Sequence, residues 1–142
     1  MGRRRDNGGD QGRLPLWRHP LPLAADLAFV IVCHCRDCQK LTGSAFAALV
    51  AVPKATLVFQ GELKTFTATA DSGRPIGRQF CPECGSSICE LSASRPELLI
   101  LNTLDDPATV TPIREIYCDR ALPWVQLGGE MQRSPRCRRN YL

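Results

Sequence analysis

The stretch Leu27-Ala28-Phe29-Val30-Ile31-Val32-Cys33-His34-Cys35-Arg36-Asp37-Cys38 sets the architecture of this chain. Its first six residues form a continuous apolar run rich in β-branched and aromatic types, the pattern of a buried strand. That strand would deliver Cys33 at its end. Side chains alternate along extended backbone, so Cys33 and Cys35 face one way and His34 the other. A helical turn over Arg36 to Leu41 would return Cys38 to the same place, and Thr42-Gly43-Ser44 breaks it. Three sulfurs then converge, and clustered thiolates are the preferred ligands of zinc. Three thiolates leave one tetrahedral position open, which is the arrangement of a reactive site; a structural zinc closes that position with protein. Both forms of a Cys33/Cys35/Cys38 site are compatible with the spacing.

A second cluster, Cys81-Pro82-Glu83-Cys84-Gly85, has the spacing of a zinc knuckle. Arg78-Gln79-Phe80 leads into it and Ser87 to Leu91 leads out, so a hairpin is expected around Cys81 and Cys84. A redox role for this pair would want a thioredoxin-like βαβ setting, which the pattern does not offer. Cys89, Cys118 and Cys137 stand outside both clusters and read as buried or incidental thiols. His34 reads as a surface residue or a support for the metal loop rather than a ligand.

The rest of the chain is a series of short strand signals. Ala45 to Val52 is ended by Pro53, Thr56 to Phe59 and Leu63 to Thr69 suggest a hairpin through Gln60-Gly61, and Leu98 to Leu101 is a core strand. Asp105-Asp106-Pro107 marks a turn, Ile113 to Cys118 is a last strand, and Leu122-Pro123-Trp124-Val125 closes the ordered part. Frequent turns and little helical periodicity predict a mainly β domain. The expected division is an atypical leader over 1–25, a zinc-binding domain over 26–129 and a basic tail over 130–142.

Composition bounds the function. At 142 residues, 44% hydrophobic and 23% charged, the chain is that of one ordinary globular domain. The net charge of +4 is concentrated in the ends, at Arg3-Arg4-Arg5 and at Arg133, Arg136, Arg138 and Arg139. Such ends are ordinarily solvated tails, so nucleic acid is not the expected partner. Asp26 interrupts the apolar run from Leu21 to Val32, no small-residue cleavage site follows it, and no stretch approaches the roughly 20 apolar residues of a membrane span. A cytoplasmic location is expected, because clustered cysteines in a reducing compartment point to metal rather than disulfides.

Taken together, Cys33-His34-Cys35-Arg36-Asp37-Cys38-Gln39-Lys40, Thr42-Gly43-Ser44-Ala45-Phe46, Phe80-Cys81-Pro82-Glu83-Cys84-Gly85-Ser86, Thr103-Leu104-Asp105-Asp106-Pro107 and Leu122-Pro123-Trp124-Val125 resemble the glutathione-dependent formaldehyde-activating enzymes, grouped with centromere protein V. The resemblance runs from about Val30 to Leu127. It implies an Mss4-like fold of short antiparallel strands, and a reactive zinc on Cys33, Cys35 and Cys38 as the catalytic centre. It also implies a structural zinc for which Cys81 and Cys84 supply one ligand pair. The implied activity is a carbon–sulfur lyase resembling S-(hydroxymethyl)glutathione synthase, joining a glutathione-like thiol to formaldehyde or a related small aldehyde. Arg36, Asp37, Gln39 and Lys40 are candidates for recognising such an anionic thiol, and Thr42, Gly43, Ser44 and Phe46 for lining its pocket. The competing implications are a non-catalytic zinc-stabilised module binding chromatin, nucleic acid or protein, and an inactive truncated copy.

One departure from the family pattern is plain. The family's structural zinc takes its other two cysteines from a phrase such as Gly-Gly-Cys-Leu-Cys-Gly-Ala-Ile-Arg-Tyr near the start, and this chain has no cysteine before Cys33. Yet the residues from Gly12 to Leu21 admit codons that, read one nucleotide later, spell that phrase in full. The expectation is that residues up to about 25 are out-of-frame translation, with the first strand and half of the structural zinc site lost.

Overall fold

The computed structural model describes residues 29–56, 62–70, 73–101, 108 and 110–137. The leader over 1–25, the first arm of the expected 56–69 hairpin beyond Thr56, and the turn at Asp105-Asp106-Pro107 lie outside the described residues. No helix among the described residues is long and apolar enough to cross a membrane.

The described chain forms one eight-stranded sheet. The strands are β1 (Phe29–Cys33), β2 (Ala47–Pro53), β3 (Lys64–Thr69), β4 (Pro75–Phe80), β5 (Ser87–Leu91), β6 (Glu97–Leu101), β7 (Arg114–Ile116) and β8 (Gln132–Arg133), in the spatial order β3-β4-β5-β6-β2-β1-β7-β8. A single helix, α1 (Arg36–Thr42), links β1 to β2. The β-prone runs Phe-Val-Ile-Val-Cys and Ala-Ala-Leu-Val-Ala-Val occupy the middle of the sheet and are buried on both faces. The edge strand β3 is largely exposed, and Lys64 with three threonines makes it a poor template for a further strand.

Most neighbours are antiparallel, as expected, but β1 pairs in parallel with β7, and β7 in parallel with β8. The sheet is therefore mixed, which corrects the expectation of antiparallel strands alone. Parallel partners are joined by long crossovers rather than tight turns, so local sequence pattern carries no sign of them. Of the expected 56–69 hairpin, only Thr56 and the second arm fall among the described residues. Thr56 belongs to a 3-10 turn (Lys54–Thr56), and the second arm, β3, pairs with β4. The sheet also runs past residue 129. Gln132 N–H donates to the Ile113 carbonyl at 3.1 Å and Ser134 N–H to Glu115 at 3.0 Å, so part of the basic stretch is a strand.

The core behind the cysteine loop comprises Ile31, Cys33, Cys35, Ala47, Leu49, Ala51, Leu99 and Ile116. Cys33 lies opposite Ala47 on one side and Ile116 on the other. Ile116 is fully buried at that junction. Ile116→Ala is expected to cost about 2–5 kcal/mol through a cavity in this layer, read as a shift of the urea midpoint. A loss below about 1 kcal/mol would mean that β7 does not hold the loop in place.

Candidate metal centre

The metal loop begins where β1 ends. Cys33 is the last residue of the strand, His34 N–H still donates to the Ile116 carbonyl at 3.0 Å, and Cys35 turns the chain into α1. Cys35 is the N-cap: its backbone is extended, its sulfur accepts from Cys38 N–H at 3.3 Å, and its carbonyl accepts from Gln39 N–H at 3.0 Å. Asp37 in the first turn and Lys40 in the last complement the helix dipole. Gly43 ends the helix in the left-handed conformation (φ 61°), which a side chain would strain.

Two buried side chains fix the loop from its far face. His34 is 1% exposed, and its Nε2 lies 3.0 Å from Glu115 Oε2 on β7. The ring also meets Phe46 edge-on, with centroids 5.8 Å apart. His34 does alternate away from the cysteines, but it is a core residue rather than a surface one. Gln39 is equally buried, donating to the His34 carbonyl at 2.8 Å and the Arg120 carbonyl at 3.1 Å, while Arg36 donates to its Oε1.

The result is a cluster. The sulfurs of Cys33, Cys35 and Cys38 all lie within 4.8 Å of one another. Zinc–sulfur bonds of about 2.3 Å in a tetrahedron place thiolates about 3.8 Å apart, so the three residues fit one such ion. Their protonation is unequal. Hydrogen bonds from Cys33 and then Cys38, helped by backbone N–H groups, push the Cys35 thiol far down. The same shared hydrogen bonds, with burial, push Cys33 and Cys38 up. Cys35 is thus the most acidic of the three thiols, and burial disfavours ionising all three together without a metal.

The cluster opens onto a cavity of about 470 Å³. Its lining includes Cys33, Cys35, Cys38, Leu49, Leu99 and Tyr117 together with the charged residues Arg74, Arg78, Glu90 and Arg95. Arg95, 8% exposed, donates to Glu90 Oε1 at 3.2 Å, and Arg78 lies 3.8 Å from the other oxygen of that carboxylate. Burial nonetheless raises Glu90 above the usual carboxylate range, against the pull of both arginines. Lys54 fastens the turn that carries Arg95 by donating to the Ser92 carbonyl at 2.7 Å and to that of Arg95. Tyr117 takes a left-handed backbone conformation (φ 56°), unusual for a bulky residue.

Of the residues expected to recognise an anionic thiol, Asp37 alone lines this cavity, and it is negative. The cations come from Arg74, Arg78 and Arg95, on β4 and nearby turns, where no local motif marks them. Thr42, Gly43, Ser44 and Phe46 are not among its lining residues. Trp124 is 73% exposed.

Cys81 and Cys84 sit in the expected hairpin turn between β4 and β5. Cys81 N–H donates to the Ser86 carbonyl at 3.0 Å, and Gly85 (φ 73°) donates back to Cys81 at 2.9 Å. Ser86, 3.2 Å from the exposed Cys84 sulfur, holds that thiol below its ordinary range, with Cys81 contributing. The pair is not part of the three-cysteine cluster, and no other group of three potential ligands occurs among the described residues. Cys89 is a packed thiol, donating to Gln79 Oε1 at 3.2 Å and pushed up to about 12 by burial and then by Glu90.

The model of the family described as glutathione-dependent formaldehyde-activating enzyme matches residues 22–120. No curated protein gives a significant match.

Because shared hydrogen bonds and burial push the Cys33 and Cys38 thiols up, metal uptake is expected to release about two protons per ion. Apparent zinc affinity is therefore expected to rise about a hundredfold per pH unit through neutrality, measured by competition against a chromophoric chelator. A flat profile would show that all three thiols ionise before the metal arrives.

Proposed function

The chain belongs to the glutathione-dependent formaldehyde-activating enzyme family, and from that premise we propose that it is a zinc-dependent carbon–sulfur lyase acting in the reducing cytosol. Its reaction is the addition of a glutathione-like thiol to formaldehyde or a related small aldehyde. The observation that carries this reading is that three convergent cysteine sulfurs form one wall of a cavity large enough for both reactants. In this proposal the sheet is an Mss4-like scaffold, Cys33, Cys35 and Cys38 are the catalytic ligands, and Cys81 and Cys84 are half of a structural zinc site. Their partner pair would have stood in the leader, whose reading frame the underlying nucleotides test directly.

Zinc bound by three thiolates supplies a Lewis-acidic fourth position that lowers the pKa of an incoming thiol. The protein's own residues do the rest. His34 and Gln39 fix the loop so that all three sulfurs face the cavity together. Arg74, Arg78 and Arg95, against only Glu90 and Asp37, favour a thiol carrying carboxylates. Leu49, Leu99 and Tyr117 give the small aldehyde an apolar wall. In the addition, the thiol sulfur forms a bond to the carbonyl carbon, the carbon–oxygen π pair moves to oxygen, and that oxygen takes up the proton the thiol gave up. The reverse breaks the carbon–sulfur bond. Since the addition proceeds unaided in water, holding the two reactants together is the protein's main contribution.

Two measurements test this. The zinc-loaded protein should accelerate exchange between formaldehyde and its glutathione adduct, followed by magnetisation transfer in NMR, and Cys35→Ser should abolish the acceleration. A loaded protein with no acceleration would instead support a zinc-stabilised binding module. Separately, Arg74→Gln is expected to weaken the apparent affinity for glutathione about tenfold, the loss of one charge-assisted hydrogen bond. A neutral thiol such as 2-mercaptoethanol should be unaffected; equal loss for both thiols would remove the arginines from substrate recognition.

A further inference from the structure

One cysteine outside both motifs shares the cavity with the metal cluster. Cys137 lines it together with Cys33, Cys35 and Cys38, whereas Cys81, Cys84, Cys89 and Cys118 do not. It also packs against the buried layer that contains Cys33 and Cys35. Its position is fixed by the chain just before it. Ser134 N–H donates to the Glu115 carbonyl at 3.0 Å, Cys118 N–H to Ser134 at 3.0 Å, and Asp119 N–H to Pro135 at 3.3 Å. Arg136 adds an ion pair with Asp119 at 3.4 Å. These bonds hang the segment on β7 and the 3-10 turn after it (Cys118–Arg120), the same elements that anchor His34 and Gln39. A fourth sulfur is thereby brought to the rim of a three-sulfur site by an element 99 residues of chain beyond Cys38.

We propose that Cys137 is an exchangeable fourth ligand for the ion held by Cys33, Cys35 and Cys38, closing the coordination sphere until a substrate thiol displaces it. Zinc prefers a soft thiolate to water in its fourth position. The other anionic side chains on the wall suit the role less well: Glu90 is engaged by Arg78 and Arg95, and Asp37 offers a hard oxygen. The Cys137 sulfur stands outside the 4.8 Å cluster, so ligation draws this residue inward while Ser134 and Pro135 stay tied to the sheet. The exchange balances without an oxidant or an external base. As the incoming thiol takes the fourth position it loses its proton, and the released Cys137 thiolate gains one. Four sulfur donors would thus be on hand throughout, and an anionic thiol that also engages the arginines would displace Cys137 more readily than a simple one.

This inference rests on the metal-centre reading, and cobalt titration separates the two. The full chain is titrated with Co(II) under reducing conditions as wild type, Cys35→Ser, Cys137→Ser, Cys137→Ala and Cys118→Ser, the last as a control outside the cavity. The wild-type complex should show sulfur-to-cobalt charge-transfer absorption of four thiolates. Both Cys137 variants should lose about a quarter of it and bind the ion at least about 10-fold more weakly, while Cys118→Ser matches wild type. Glutathione added to the Cys137→Ala complex should restore the four-sulfur spectrum at lower concentration than wild type needs to change. Binding that disappears in Cys35→Ser but is identical in wild type and both Cys137 variants overturns the role of Cys137 and leaves the metal centre standing. A wild-type spectrum indifferent to Cys35→Ser overturns both.

Discussion

Cys35 sits where two demands meet, and the geometry of the centre follows from satisfying both. As the N-cap of α1 its sulfur must face the Cys38 amide; as a member of the cluster it must face Cys33 and Cys38. One extended residue between a strand end and a seven-residue helix meets both conditions at once. Sulfur is a weaker acceptor than the oxygen of Ser or Asp, so capping alone would favour a different residue. The cost of that weaker cap is offset from behind the loop. His34 joins it to Glu115 across 81 residues of chain, and Gln39 joins it to the Arg120 carbonyl across another 81. Without those ties, a helix this short would be marginal.

The cavity in front of the cluster has two chemically distinct parts. The sulfur part is supplied by β1 and α1 and is backed by apolar residues of β2 and β6; the charged part is supplied by β4, β5 and the turn held by Lys54. Glu90 lies between Arg78 and Arg95 and offsets their mutual repulsion, and burial of its carboxyl raises its pKa against their pull. A soft centre beside a partly compensated cationic wall distinguishes ligands by both ends, reactive group and anionic tail.

What the sequence disclosed, and what it hid, divides along range. The run from Phe29 to Cys33, the helical return of Cys38, the break at Gly43 and the knuckle hairpin at Cys81 and Cys84 are set by neighbours a few residues apart, and all were legible. The three-sulfur cluster follows from those same local rules. The parallel pairing of β1 with β7, the Glu115 partner of His34 and the arrival of Arg74, Arg78 and Arg95 in the cavity that the cysteines line are products of tertiary topology, and periodicity holds no trace of them. Cys137 was hidden for the same reason. In the linear chain it is one cysteine among basic residues, and only β8 turns it toward the centre.

The dependence of β1 on β7 also sets an order of events at the ribosome. His34 leaves the tunnel 81 residues before Glu115, an interval of roughly 4–16 s at ordinary elongation rates. During it the cysteine loop has neither its buried partner nor β8. The nascent loop nevertheless carries all three of its sulfur donors within six consecutive residues. An ion captured then would organise the turn before its sheet exists, and cellular metal supply during translation would then bear on how much of the product matures.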